Sequence, residues 1–185
     1  MENIVIGTIL DRSSIRAYTD EMLTEAELSV LKKAALSSPT AMNRQDQRFA
    51  FITRKETIDE IEKAVVDTIV AGGDADFAER IKSRGGKVMY DAPLVVVIFA
   101  KPAKFAGVDA GIAVENLAIA AKSMGLDSVI LGMPDAAFAG QAGAERRAAL
   151  GIDEEFEFKI AIAIGHRATE KLPHEWDESH IIDIK

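Results

Sequence analysis

Two arginines and two serines within residues 11–17 form the part of the sequence best suited to bind an anion. They are Arg12, Ser13, Ser14 and Arg16. In a helix or a tight turn, both arginines would project to one side of the chain. Guanidinium groups, hydroxyls and backbone N–H groups together match the oxygens of a phosphate. The open alternative is a solvated helix end in which the arginines pair with neighbouring aspartates.

A second candidate segment is the loop at residues 37–48, which is dense in amide and hydroxyl groups. Ser38, Thr40, Asn43 and Gln45 belong to it. Such groups can hydrogen-bond a polyol or the edge of a heterocycle. On composition alone, an ordinary polar loop remains the alternative.

Helix signals explain how these two segments are positioned. Residues 3–10 could form a strand or a short helix, and their spacing favours a helix that leads straight into the arginine segment. A second helix begins at the capping box of Thr24 and Glu27. It should end near Ser37, because Pro39 disfavours a helical conformation in the residue before it.

Two longer helices are predicted from apolar periodicity. Ile58 and the apolar residues that follow predict a helix that stops at Gly72, and residues 72–86 then become a candidate lid or a plain pair of helix ends. Another helix should cover residues 109–124. Its predicted inward side chains are Ile112, Leu117, Ala120, Ala121 and Met124.

Strand signals predict the sheet. The β-branched run at residues 94–99 is typical of a central strand buried on both faces. Residues 48–53 and 128–131 read as further strands, and the latter ends at Gly132, where backbone N–H groups can approach a ligand or simply turn the chain. Residues 155–164 alternate, which predicts one shared face for Phe156, Phe158, Ile160, Ile162 and Ile164.

Composition narrows the functional classes. The chain has 185 residues, a net charge of −8 and no cysteine. One domain is expected, without disulfides or thiolate chemistry, and without general binding to nucleic acid or an anionic membrane. No signal peptide or apolar run of membrane-spanning length is present, which predicts a cytoplasmic protein. The scattered histidines do not suggest a metal site.

Four segments, taken in order, make the chain resemble the FMN-dependent nitroreductase family. Residues 12–16 resemble its R-x-S-x-[RK] motif, and residues 38–45 its [SA]-P-[ST]-x-x-N-x-Q loop. Asp109-x-Gly111-x-x-x-x-Asn116 followed by Gly125-Leu126 resembles its D-x-G-x-x-x-x-N…GL helix. Gly165-His166 followed by Lys171-Leu172-Pro173 resembles its strand end and tail.

This resemblance implies a fold and an assembly. The fold class is α+β, with a mixed, mostly antiparallel central sheet wrapped by helices. Residues 1–165 form one FMN-binding domain, and residues 166–185 form an arm that docks on the partner subunit. The resemblance also implies a homodimer with an FMN at each end of the interface.

The resemblance further implies roles for residues of one subunit. Arg12 would hold the FMN phosphate, with Ser13 and Ser14 beside it, and Arg16 would lie near the pyrimidine edge. Lys171 would reach the phosphate from the tail. A further set from the same subunit would pass beside the isoalloxazine ring: Ile130, Leu131 and Gly132.

The partner subunit would contribute the amide-rich loop to the same site. Its implied flavin contacts are Pro39, Thr40, Ala41, Asn43 and Gln45. The sequence also departs from the family, with Thr169 where many members carry a basic residue and Leu131 where some carry Glu.

The implied activity is an NADH- or NADPH-dependent FMN oxidoreductase. It would reduce nitroaromatics, quinones or similar electrophilic small molecules by a ping-pong mechanism. No catalytic side chain is expected, because the flavin carries the chemistry. The alternatives are a flavin-binding carrier or sensor without turnover, and a flavin-free α/β scaffold.

Overall fold

The protein is described by a computed structural model that covers residues 3–72, 75–83 and 85–185. Its helices are α1 Ile4–Asp11, α2 Glu25–Leu36, α3 Lys55–Ala71, α4 Ala75–Lys82, α5 Ala106–Ser123 and α6 Gly140–Ala149. Its strands are β1 Gln47–Ile52, β2 Leu94–Ala100, β3 Asp127–Leu131 and β4 Glu157–Gly165. Short 3₁₀ turns cover Ala41–Asn43, Met133–Phe138 and Glu178–His180. The candidate lid at 72–86 includes positions 73, 74 and 84, which lie outside the described residues.

The four strands form one sheet in the order β1-β2-β4-β3, and all neighbours are antiparallel. Strand β2 is buried along its whole length, which confirms the predicted central strand. A parallel bridge joins Ser14 to Ser128 at the start of β3. The predicted α+β class with a mostly antiparallel sheet is therefore confirmed.

Helices cover both faces of the sheet. On one face, α3 packs with Ile61 and Val65 against Val95, Val97 and Phe99 of β2. On the other face, α2 and α5 pack against the alternate residues of the same strand. Burial of both faces explains why β2 carries apolar residues without alternation.

A β-bulge in β4 overturns one sequence prediction. Ile98 pairs with Ile160, but Phe99 pairs with Phe158, which leaves Lys159 as an extra residue. One extra residue moves the side chains before it to the opposite face. Phe156 and Phe158 therefore join the core under α3, whereas the isoleucines of β4 face α2 and α5. The prediction of a single face for all five residues was wrong.

One of the five residues predicted to face inward from α5 is exposed instead. Ile112, predicted to be inward, is 37% exposed. Leu117 and Ala121 are buried as predicted, and Ala120 and Met124 are half-buried. Alanines supply most of the buried face, and they allow α5 to lie close to the sheet.

The capping box that starts α2 is confirmed. The Thr24 N–H donates to Glu27 Oε2 at 2.7 Å, and the Glu27 N–H donates to Thr24 Oγ1 at 3.3 Å. The helix ends at Ser37, its C-cap residue. Hydrogen bonds from the Thr24 backbone and hydroxyl lower the pKa of Glu27 below its ordinary value. A lowered pKa contributes stability above the ordinary glutamate pKa, and this contribution is lost as the pH falls through the lowered value.

Thr24→Ala should reduce the free energy of unfolding by about 1 kcal/mol at pH 7. The difference from the parent protein should shrink as the pH falls through the lowered pKa of Glu27, because its carboxylate is then protonated. Denaturant unfolding at pH 7 and at an acidic pH measures the loss of unfolding free energy in the variant. Thr169→Ala, in the exposed tail, is the control. An equal loss at both pH values would contradict the role given to the Glu27 carboxylate.

Candidate functional site

The arginine segment is extended, not helical or tightly turned. Ser13 and Ile15 are buried, whereas Arg12 and Ser14 are half-buried and Arg16 is exposed. This alternation places Arg12, Ser14 and Arg16 on one side of the backbone, because side chains of extended chain alternate. The expectation that both arginines share a side holds, but the helical reason for it was wrong.

Strand β3 and a buried tyrosine hold this segment in place. The Ile15 N–H donates to the Ser128 carbonyl at 3.0 Å. The Tyr18 hydroxyl lies 2.9 Å from the Ile15 carbonyl oxygen and 3.2 Å from that of Ala163. Burial raises the pKa of Tyr18 far above its usual value, so the hydroxyl stays protonated and can donate. The segment is therefore tied to two strands of the sheet.

A glycine leaves room for this tyrosine. A Cβ atom on Gly165 would lie 2.6 Å from Pro93 Cδ and 3.1 Å from Tyr18 Cδ1. Any larger residue would displace one of these rings. This steric limit explains the glycine at the end of β4, where the sequence showed only a motif.

The tail reaches the arginine segment through Ser13. The Ser13 Oγ donates to the Lys171 carbonyl oxygen at 3.0 Å. The hydroxyl of Ser13 thus brings Lys171, a predicted phosphate ligand, beside the segment that carries Arg12. As a flavin contact in its own right, Ser13 stays a prediction.

Ion pairs around the segment differ in tightness. Arg12 Nε is 3.8 Å from Glu115 Oε1, and the Glu115 side chain is 48% exposed. In contrast, Lys122 Nζ lies 2.9 Å from Asp11 Oδ2 and 3.3 Å from Oδ1 of buried Asp127. Burial opposes the charge on Lys122, but these carboxylates outweigh it and raise the pKa of Lys122. The hydrogen bond from Lys122 in turn lowers the pKa of Asp11 below its ordinary value. Arg12 is consequently the more available cation.

The amide-rich loop is held in an unusual backbone conformation. Met42, Asn43 and Gln45 have φ angles of 54°, 53° and 53°. This left-handed region costs a non-glycine residue about 1–2 kcal/mol. The Gln45 N–H donates to Thr40 Oγ1 at 3.0 Å, and Gln45 Nε2 donates to Asn43 Oδ1 at 2.8 Å. Several predicted ligands of this loop therefore also stabilise one another.

Two polar residues of α5 anchor the loop, and the sequence analysis assigned them no role. Asp109 Oδ1 accepts a hydrogen bond from the Ala41 N–H at 3.0 Å, and Asn116 Nδ2 donates to Ser38 Oγ at 2.9 Å. A separation of seven residues places both on one side of the helix, about 10 Å apart. The D-x-G-x-x-x-x-N spacing was the signal that could have revealed them.

A pocket beside Arg16 contains further residues that the sequence analysis missed. Lys87, Tyr90 and Asp91 line it together with Arg16 and Tyr18. Tyr90 and Asp91 have φ angles of 60° and 56°. No sequence signal identified this wall of the pocket, because it depends on backbone conformation.

A buried carboxylate holds this wall. Glu62 of α3 is 8% exposed, and its Oε1 accepts the N–H groups of Val88 at 2.7 Å and Met89 at 2.6 Å. Lys87 Nζ forms a 2.6 Å ion pair with Asp91. The position of Lys87 beside Arg16 therefore depends on a side chain far away in the sequence.

The end of β3 supplies the remaining predicted residues. Leu131 is buried, Ile130 is half-buried and Gly132 is exposed. A Cβ atom on Gly132 would meet nothing within 4 Å. Among the residues that the structure describes, none packs so closely on Gly132 that a glycine is required, and its contact with a ligand stays a prediction.

Comparisons with known proteins identify the family. The model of the nitroreductase family matches residues 9–166. This chain belongs to the nitroreductase family. Among solved structures, a nitroreductase with bound FMN from Desulfitobacterium hafniense is 32% identical, with a TM-score of 0.95 and full coverage of both chains. A nitroreductase with bound FMN from Bacteroides fragilis shares the fold, with 23% identity and a TM-score of 0.88 over both full chains.

Two proteins with similar sequences are named as NAD(P)H-dependent reductases. A provisionally named NADH dehydrogenase/NAD(P)H nitroreductase from Archaeoglobus fulgidus is 26% identical over 92% of this chain and 89% of its own. A Bacillus subtilis protein named FMN reductase (NAD(P)H) is 29% identical over 70% of this chain and 54% of its own length. The predicted family and the enzyme class that it implies are confirmed.

Two further features are absent from residues 3–72, 75–83 and 85–185. No helix there is long and apolar enough to cross a membrane. Nor does this part of the chain contain a group of three or more His, Cys, Asp or Glu side chains placed to hold a metal ion.

Asp109→Ala should release the amide-rich loop from α5. We expect faster amide hydrogen exchange at Ala41 and a free energy of unfolding lower by about 1.5–3 kcal/mol, because a hydrogen bond to a charged group is lost. Asp109→Asn keeps an oxygen acceptor and should change both quantities much less. Equal effects of the two substitutions would show that the acceptor oxygen does not hold the loop.

Proposed function

We propose that this nitroreductase-family protein binds FMN in a site shared by two copies of the chain. It uses NADH or NADPH to reduce nitroaromatic, quinone or similar electrophilic small molecules. The observation that carries the proposal is the placement of Arg12, Ser14 and Arg16 on one side of an extended segment tied to β3.

The donor set of this segment fits the FMN phosphate. The phosphate is a dianion, and the chain carries a net charge of −8. Arg12 has only a loose carboxylate contact, at 3.8 Å, and can turn its guanidinium to phosphate oxygens. Ser14 would add a hydroxyl, and Lys171 would approach from the tail held by Ser13.

The pocket beside Arg16 fits the polar edge of the flavin ring. Cations placed there stabilise the negative charge of the reduced ring and raise its reduction potential. Arg16 and Lys87 both line this pocket. FMN held by these residues would supply the chemistry of hydride transfer from NADH or NADPH to the acceptor.

The separation of the two polar segments supports a site built from two chains. Asp11, next to Arg12, contacts Lys122 of α5, whereas Ala41 contacts Asp109 of the same helix. These two contacts lie about 20 Å apart along its axis. The Arg12 guanidinium also approaches Glu115, about 9 Å along the axis from Asp109, and the two segments contact sides of α5 that differ by about 120°. A second chain would bring its own amide-rich loop to the arginine segment of the first.

Exposed apolar surface supports the same assembly. Helix α1 has no buried residue, although most of its side chains are aliphatic. Helix α5 exposes Val108 and Ile112 on one side, and Phe105 is exposed just before the helix. The tail exposes Trp176 and other large apolar residues. Several exposed large apolar side chains on one molecule are typical of an interaction site. We assign it to the dimer interface, with residues 166–185 as the arm that crosses to the partner.

The purified protein should carry FMN, and NADH or NADPH should bleach its visible absorbance under anaerobic conditions. Arg12→Ala should weaken FMN binding about 10- to 150-fold, because a charged hydrogen bond worth about 1.5–3 kcal/mol is lost. Arg54→Ala, which removes an arginine bonded to Thr57 instead, is the matched control. Fluorescence titration of the apoprotein with FMN measures both variants.

Each result separates the candidate functions. Unchanged FMN affinity in Arg12→Ala would refute the phosphate assignment. Bound FMN that neither nicotinamide reduces would favour the carrier or sensor. Parallel double-reciprocal plots for donor and acceptor would support ping-pong turnover, in which the two occupy the same space in turn.

A mixture of two inactive variants should restore FMN binding if the site is shared. Arg12→Glu introduces repulsion at the phosphate, and Ala41→Trp fills the space beside the ring. Ala41 suits this purpose better than Asn43, whose left-handed φ angle a tryptophan would strain. The heterodimer would contain one doubly damaged site and one intact site.

FMN bound per chain, measured on a verified heterodimer after co-refolding, decides the matter. We expect about half of the parent occupancy, because one of the two sites is intact. A folded heterodimer without FMN, like either homodimer, would place Arg12 and Ala41 in the same single-chain site.

A further inference from the structure

A largely buried lysine of α5 stands at the start of the arginine segment. The Lys122 side chain is only 12% exposed, and its ammonium lies 2.9 Å from Asp11 Oδ2 and 3.3 Å from Asp127 Oδ1. An ammonium group taken out of water needs carboxylates or other acceptors around it, and these two supply them. Lys122 therefore joins the end of α1 to the start of β3, although it is not among the predicted flavin contacts.

Asp11 is in an unfavourable place for a carboxylate. It is the last residue of α1, a helix that contains no basic residue. The carboxyl end of a helix dipole is negative and disfavours a further negative charge. The Asp11 side chain is 69% exposed, so it could turn toward the guanidinium of Arg12, the next residue, if no other cation held it. Lys122 is the cation that holds it.

Two side chains of α5 pair with two neighbouring residues of opposite charge. Glu115 Oε1 is 3.8 Å from Arg12 Nε, and Lys122 Nζ is 2.9 Å from Asp11 Oδ2. Seven residues separate Glu115 from Lys122, which places them on one side of the helix, about 10 Å apart. An exchange of partners would bring like charges together. The pattern therefore directs the Asp11 carboxylate and the Arg12 guanidinium to different points along α5.

The tail adds one more cation to this arrangement. Asp127 is 4% exposed, and its Oδ2 lies 3.8 Å from Arg167 Nη1. Arg167 Nη2 also lies 3.2 Å from exposed Glu170, so Arg167 is shared between two carboxylates. Lys122 is the nearer of the two cations to Asp127. Without Lys122, two carboxylates would compete with a phosphate for the cations that remain.

We propose that Lys122 is a positioning residue for the FMN phosphate. By binding the Asp11 carboxylate, it keeps Asp11 from pairing with Arg12 and leaves that guanidinium to the phosphate oxygens. Lys122 acts through Asp11 and Arg12, not as a phosphate ligand. This inference rests on the proposed function, since it concerns the same phosphate site.

Lys122→Gln should weaken FMN binding to the apoprotein about two- to fivefold, because an exposed carboxylate is released beside Arg12. Riboflavin, which lacks the phosphate, should bind the variant and the parent protein equally. Lys159→Gln is the matched control, because it removes a half-buried lysine whose Nζ lies 2.8 Å from Glu157. It should change neither affinity. Fluorescence titration with each flavin measures all three proteins.

A second substitution separates this electrostatic role from a merely structural one. In the Lys122→Gln protein, Asp11→Asn should restore most of the lost FMN affinity, because the competing carboxylate is removed. In the parent protein the same substitution should have little effect, because Lys122 already neutralises Asp11. Added salt should also reduce the ratio between the parent and Lys122→Gln affinities, because Asp11 is exposed to solvent.

Asp127→Asn tests whether Lys122 acts only by tying α1 to β3. This substitution keeps the pair of Lys122 and Asp11, so FMN affinity should not fall. A loss as large as that of Lys122→Gln would overturn the proposal. If Lys122→Gln does not fold, because buried Asp127 has lost its nearer cation, the combination with Asp127→Asn removes both buried charges. The comparison with and without Asp11→Asn is then made in that protein.

The outcomes distinguish this inference from the proposed function. Equal weakening of FMN and riboflavin in Lys122→Gln, unchanged FMN affinity, or no recovery with Asp11→Asn would overturn the role of Lys122 while FMN binding by the parent stands. A parent protein that binds no FMN would refute the proposed function, and inorganic phosphate followed by ³¹P NMR then becomes the probe. Weaker phosphate binding in Lys122→Gln, restored by Asp11→Asn, would retain the inference. Equal phosphate binding, or none, would overturn it.

Discussion

The polar side chains of helix α5 hold both segments of the candidate site. Near its amino end, Asp109 binds the Ala41 N–H, and Asn116 reaches Ser38. Further along, Lys122 binds Asp11, the residue before Arg12. The helix is a rigid spacer with a fixed rise per residue, so the distance between loop and arginine segment follows from its length. Glu115 and Lys122 face the arginine segment, whereas Asp109 and Asn116 hold the loop on a side of the helix about 120° away. In the proposed flavin site, the loop comes from a second chain.

Strained backbone recurs in the loop and in the wall of the pocket beside Arg16. Met42 and Asn43 in the loop, and Tyr90 and Asp91 beside Arg16, occupy the left-handed region. Such strain persists only where surrounding bonds hold it, and it concentrates at functional sites. Asp109 and buried Glu62 provide those bonds. A site shaped before its ligand arrives loses less entropy on binding, which favours affinity.

Local signals predicted most of the fold. The capping box of α2, the buried run of β2 and the periodicity of α3 each depend on residues close in sequence, and each was confirmed. The ordered motifs were also sufficient for the family. Two predictions of side-chain direction were wrong, at positions where packing against residues distant in the sequence determines which side chains are buried. A single extra residue, Lys159, changes the face of β4, and Ile112 belongs to an exposed apolar stripe because α5 is apolar on two sides.

The sequence by itself determined which residue types could hold an anionic cofactor, because charge and hydrogen-bonding capacity belong to the side chains alone. It identified Arg12, Ser14 and Arg16, but not why they share a side: extended backbone and the bridge to Ser128 decide that. The sequence also did not distinguish Ser13 from these three residues, although the Ser13 hydroxyl donates to the Lys171 carbonyl oxygen. The roles of Asp109 and Glu62 were decided only by the tertiary structure. Each accepts hydrogen bonds from backbone N–H groups that folding brings to it. Every residue except proline has the same backbone N–H, so the sequence does not show which acceptor that N–H will meet.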